Sequence, residues 1–292
     1  MARSAMEHAA NYKETVENMG RYMTDNDLTP LGTWVAVPND YFSSQFVANF
    51  FGIWAAAFAF LALPFVLYMW IKKKDNIPIL VWLGGWVCSL LEPMLDHLGH
   101  LWWSHNLAGP AMSGFHLNIP FLIPPCYCGF VAMTGYLTYL VMRNGATKKK
   151  IWLVWLLFAS TDLLLEIPGC YLYAYMYYGF HPFRVFNFPM FWVWVNGAGF
   201  HMVGFLLYLT VPHLKGLGKA WLLLVVVTAF GLNYGIIGWP YFMALNWVGI
   251  TKPMVYFLSL VSLSLALITV WWVAEFAGID SKRRLILSTE KA

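Results

Sequence analysis

Seven apolar segments, each near the roughly 20 residues that a bilayer crossing demands, leave this chain few folds to choose from. They run at approximately 46–70, 77–101, 119–142, 151–174, 189–211, 220–244 and 254–275. In lipid, every backbone N–H and C=O must find its partner within the segment, so these read as helices rather than open strands. Composition removes the alternatives. Only 11% of the 292 residues are charged, against about 25% in an ordinary soluble domain, too few to cover a soluble globule of this size. A hydrophobic content of 60% excludes a disordered chain, and a net charge of only +4 argues against a nucleic-acid partner. The expected fold is all-α. One polytopic, multi-pass integral membrane domain spans 46–278, with an extramembrane arm at 1–45 and a cytoplasmic tail at 279–292. Met1 to Asn26 carries charges throughout and lacks the apolar core of a signal peptide.

Basic residues alternate between connections. Lys72, Lys73 and Lys74 follow the first segment, and Arg143, Lys148, Lys149 and Lys150 follow the third. Lys215 and Lys219 follow the fifth, and Lys282, Arg283 and Arg284 follow the seventh. By the positive-inside rule the N-terminus is expected outside and the C-terminus in the cytoplasm. The four cysteines, Cys88, Cys126, Cys128 and Cys170, fall in apolar stretches without metal-binding spacing and read as buried thiols.

Against this background the intramembrane polar residues stand out, because a carboxyl group in a span is expensive and usually faces the bundle interior. At about 1.5 Å per residue, Glu92 and Glu166 each lie roughly 22 Å along their helices from the basic end. Asn196, Asn233 and Ser262 fall near the same level, with Asp162 and His201 a tier below. Leu90-Leu91-Glu92-Pro93 and Leu164-Leu165-Glu166-Ile167-Pro168 form a weak repeat, each setting a carboxyl beside a proline. Glu92 with Asp96, and Asp162 with Glu166, are four residues apart and share a helix face. Two neighbouring carboxyl groups in a dry site do not readily both ionise, so one of them holds a proton near neutral pH, as an acid catalyst requires. Tryptophans and tyrosines crowd the same level. Part of this is an interfacial belt, but aromatic faces also stabilise cations. Trp86, Tyr173, Trp192 and Trp194 are therefore expected beside the carboxyl groups as substrate-binding residues, together with Asp162, Asn196, His201 and Asn233. Glu92, Asp96 and Glu166 are the expected catalytic residues, and the 102–118 and 175–188 connections the expected lid. The substrate is a lipophilic small molecule, and membrane lipids are the other expected partner; no cofactor and no metal is required.

Other chemistries fit less well. The seventh segment has no lysine for a retinal Schiff base. Histidines are not grouped in the boxes of membrane desaturases. The halves nearest the basic connections are almost wholly apolar, which disfavours a through-path. A metal held by Glu92, Asp96, His100, Glu166 and His201, serving an oxidoreductase, remains an alternative, as does non-catalytic lipid binding.

The run Asn187-Phe188-Pro189-Met190-Phe191-Trp192-Val193-Trp194-Val195-Asn196 resembles the Pro-x-x-Trp helix start and intramembrane Asn of the emopamil-binding protein family. Glu92-x-x-x-Asp96 is similar to that family's acid/base pair. Small integral-membrane terpene cyclases have about seven spans and a glutamate with aromatic neighbours in an early helix. Carotenoid hydratases carry a glutamate followed by a Tyr-rich stretch and a proline, as Glu166 to Pro189 does. What these resemblances imply is protonation of an isoprenoid or sterol and guidance of the resulting carbocation: cyclase first, isomerase or hydratase as alternatives.

Overall fold

A computed structural model describes residue 38, residues 41–107 and residues 109–289, with side chains through 278. The expected arm at 1–45 thus lies mostly outside the described residues, and 279–289 continue the last helix. Seven helices are long and apolar enough to cross a membrane, so the protein is a multi-pass membrane protein by length and composition. They are α1 (Gln45–Ile71), α2 (Ile77–Gly99), α3 (Ile123–Arg143), α4 (Lys148–Tyr171), α5 (Phe191–His213), α6 (Gly216–Asn246) and α7 (Lys252–Thr289).

Local chemistry sets several boundaries. Ser44 caps α1 by accepting from the Val47 N–H at 3.2 Å, and Thr147 caps α4 by accepting from Lys150 at 3.3 Å. Pro78 stands at the start of α2, where its missing N–H costs nothing. Three spans are not regular throughout. α2 tightens into a 3-10 turn at Ser89–Leu91 just before Pro93, and α3 and α6 widen into π turns at Tyr127–Ala132 and Tyr234–Gly238.

Two ends can be told apart. At the basic end Lys219 donates to Asn76 at 3.0 Å, joining the α1–α2 connection to α6. Here α3 and α5 pack closely: a Cβ on Gly204 would meet Thr138 Cβ at 2.6 Å. At the opposite end short strands are added to an otherwise mostly helical fold. The connections fold into three antiparallel pairs: β1 (Leu101–Trp103) with β4 (Tyr175–Tyr177), β2 (Pro110–Gly114) with β3 (Leu117–Pro120), and β5 (Arg184–Val185) with β6 (Phe188–Pro189). Strand pairing satisfies backbone groups that would otherwise be buried without partners. α5 is buried along most of its length, while α1 turns Phe46, Ile53, Phe60 and Leu61 outward, as a lipid-facing helix does.

Candidate functional site

A cavity of about 100 Å³ lies at the stranded end. By the rough measure of 10–15 Å³ for each water it has room for several waters or part of a chain. α1 to α6 contribute to its wall, β1 and β4 close it, and α7 supplies no lining residue. Among the described residues the lining includes four carboxyl groups, Glu92, Asp96, Asp162 and Glu166, and no lysine, arginine or histidine. Phe51, Trp103, Tyr127, Phe130, Tyr175, Tyr177, Trp192, Phe200, Phe230, Tyr234 and Phe242 surround them.

Each carboxyl group is held by a neutral donor, and Glu166 has Tyr177 beside it as a second. Tyr127 Oη donates to Glu92 Oε2. Trp103 Nε1 donates to Asp96 Oδ2 at 2.7 Å, and Tyr175 Oη to Glu166 Oε2 at 2.8 Å. Asn196 Nδ2 donates to Asp162 Oδ2 at 3.0 Å while its own Oδ1 accepts from Tyr234 Oη at 2.5 Å. The α2 pair thus takes its donors from α3 and β1, the α4 pair from β4 and α5. Trp103 and Tyr175 are direct cross-strand partners, their ring centroids 4.7 Å apart. The two connections expected as a lid do meet over the cavity through this pairing. Trp103 also lines a second, more polar chamber of about 190 Å³ bounded by Ser104, His105, His116 and Asn118.

Of the residues expected from sequence, Glu92, Asp96, Asp162, Glu166, Trp192 and Asn196 line one cavity. Five others do not. Trp86 is 43% exposed on the outer face of α2: six residues from Glu92 on a helix is about 240° round, and the 3-10 turn intervenes. Trp194, two residues from Asn196 and so about 200° away, packs on Trp155 with centroids 5.2 Å apart. His201 is fully buried with Nε2 against the Ile151 carbonyl at 3.1 Å. Asn233 ties α6 to α5 by donating to the Val195 carbonyl at 3.0 Å. Tyr173 sits in a left-handed turn, φ 60°, where its carbonyl accepts from Tyr41 at 2.5 Å. Ser262 of α7 is buried away from the cavity. Of the set proposed for a metal, Glu92, Asp96 and Glu166 line the cavity while His100 and His201 do not, and among the described residues no three His, Cys, Asp or Glu converge as ligands.

Sequence reasoning assigned the donors Tyr127, Trp103, Tyr175 and Tyr234 to a general aromatic belt. Tyr234 had a signal, in the nearby Pro240 that interrupts its helix; Tyr127 and the strand residues had none.

Beyond the wall, His100 stacks on Tyr178 at 4.8 Å, and His181 Nδ1 lies 2.7 Å from Tyr241 Oη. Burial lowers His100 to about 4. His181 is held well below the ordinary histidine range by burial and then by the Arg184 charge. Neither adds a positive charge behind the wall at pH 7, where Arg184 is already bonded to the Tyr177 and Gly179 carbonyls.

No protein-family model, curated protein or solved structure matches the chain.

Proposed function

We propose that the protein is an integral membrane enzyme that gives a proton to an uncharged, lipophilic isoprenoid and takes one back after rearrangement, most simply as a terpenoid cyclase. One observation carries the reading: four carboxyl groups, each held by a neutral donor, face an aromatic cavity to which the described residues contribute no basic side chain. A phosphate or carboxylate on the substrate would find no positive partner among the described lining residues, so an uncharged substrate fits the site best.

Glu92 or Asp96 is the acid. Its O–H proton passes to an alkene carbon, or to an epoxide oxygen as the C–O bond opens, and leaves a carbocation facing aromatic rings. Glu166, on the facing helix, accepts the proton lost from the neighbouring carbon as the final double bond forms. Isomerisation uses the same two transfers without ring closure, and hydration replaces the last with attack by water. Orientation belongs to this proposal: the basic end is cytoplasmic and the stranded end faces outward, by the distribution of lysine and arginine. Cysteines placed at positions 73 and 149 resist a membrane-impermeant thiol reagent applied to intact cells; efficient labelling would reverse the orientation.

The test is incubation of the purified protein in deuterated water with farnesyl, geranylgeranyl and epoxidised prenyl substrates, read by mass spectrometry. Products carrying solvent deuterium are expected. Absence of turnover and of exchange across that panel would sink the reading.

A further inference from the structure

Among the described residues π-helical turns occur twice, at Tyr127–Ala132 in α3 and Tyr234–Gly238 in α6, and each opens on a tyrosine of the cavity wall. π turns inside α-helices are uncommon and gather at functional sites. Each has distinctive local surroundings. In α3 the Thr134 hydroxyl donates to the Phe130 carbonyl and to that of Val131, at 3.1 Å in the second case, so it serves carbonyls of the widened turn. The bulge lies against α2 at Gly85, where a Cβ would come within 2.6 Å of the Tyr127 carbonyl. In α6, Pro240 has no N–H to return to the Ile236 carbonyl, so the preceding turn cannot close regularly.

An inserted residue rotates the two halves of a helix by about 100° relative to each other. Each bulge therefore sets the phase of its tyrosine independently of the helix beyond, whose packing is fixed elsewhere. The outcome is the same twice. Tyr127 Oη reaches Glu92 Oε2, and Tyr234 Oη reaches Asn196 Oδ1 and through it Asp162. Phe230 lies edge-on to both rings, at 6.0 and 5.2 Å, and spaces them.

We propose that Tyr127 and Tyr234 are positioning residues for the acid chemistry, and that the two π turns aim them. The inference rests on the acid–base reading above. By donating to Oε2, Tyr127 leaves Oε1 of Glu92 as the oxygen that carries the transferable proton. Tyr234 fixes the Asn196 amide so that its NH₂, not its carbonyl, faces Asp162.

The test separates hydrogen bonding from turnover. The infrared carboxyl band of Glu92 is identified as the one lost in Glu92→Gln, without substrate. Tyr127→Phe keeps the ring and should move that band, and it should reduce turnover about 10–100-fold, the usual cost of losing an orienting partner. Tyr234→Phe should leave the Glu92 band in place and move that of Asp162. A stationary Glu92 band in Tyr127→Phe overturns the inference whatever happens to turnover, and so does a moved band with turnover unchanged. Should Tyr127→Phe not fold, ring-labelled tyrosine in the wild-type chain and in Glu92→Gln gives the same decision through the phenol C–O band. A wild-type chain that turns over no substrate counts against the acid-catalyst reading, while the band shift still decides whether Tyr127 holds Glu92.

Discussion

At the basic end, Gly135 and Gly204 bring α3 and α5 into close contact, and no described lining residue of the carboxyl cavity is drawn from it. At the stranded end, four carboxyl groups are enclosed, two helices are widened and one is tightened. Backbone strain obeys the same division. Among the described non-glycine residues, His100, Phe115, His116, Tyr173, Phe183, Phe186 and Asn187 have positive φ at the stranded end, and only Lys74 does at the other. Such conformations cost about 1 kcal/mol or more each, and they persist where surrounding contacts determine them. The contrast teaches that stability resides in the close-packed end, which lets the other end hold an arrangement that would not form alone.

The largest expected effect falls on the stranded end. Glu92→Gln and Glu166→Gln keep shape and remove acidity, so each should lower turnover about 10²–10⁴-fold with unfolding temperature little changed. Wild-type rates in both variants, measured on any substrate the native chain converts, would break the division of labour.

Acid should weaken the same end. With His100 at about 4 in the folded chain against 6.5 ordinarily, the unfolded state binds more protons between these values. Stability is therefore complete above pH 6.5 and falls as the pH drops toward 4, by up to about 3 kcal/mol for this residue. Melting temperature in detergent from pH 7 to pH 4 checks the sign, and His100→Asn should flatten the decline. An unchanged slope in that variant would place the acid sensitivity elsewhere.

Gly204→Val probes the basic end. The added atoms meet Thr138 at 2.6 Å and the Gly135 carbonyl at 2.9 Å, so overpacking should cost about 1–3 kcal/mol. Turnover per folded molecule should not change; loss of chemistry without loss of stability would contradict the contrast. The smallest effect is at the Lys148–Glu275 ion pair, half-exposed on both sides. Glu275→Gln should change stability by about 0.5 kcal/mol or less, and a larger shift in melting temperature would show this pair to be part of the packed end.

The spans were legible because hydrophobic length is a local property: the sequence places α5 at 189–211, and the helix runs Phe191–His213. The carboxyl groups were legible too, since i, i+4 spacing puts Glu92 with Asp96 and Asp162 with Glu166 on common faces. Depth along a helix, however, says nothing about direction around it. Trp192 and Trp194 are at nearly one level, yet only Trp192 faces the cavity. The strands were out of reach because Leu101–Trp103 and Tyr175–Tyr177 have no pattern of their own and pair only once α2 and α4 bring them together.

The pairing of Trp103 with Tyr175 has a consequence for how such a protein can vary. One ring serves Asp96 and the other Glu166, yet a single ladder register places both. A slip of either strand by one residue would turn its own ring to the opposite face and undo the side-by-side placement of the two, because neighbouring strand residues point to opposite faces. The donors of Asp96 and Glu166 therefore depend on one register. Substitutions at positions 103 and 175 are bound to be non-additive, and an altered chemistry at one station has to be reached by changes compatible with the other.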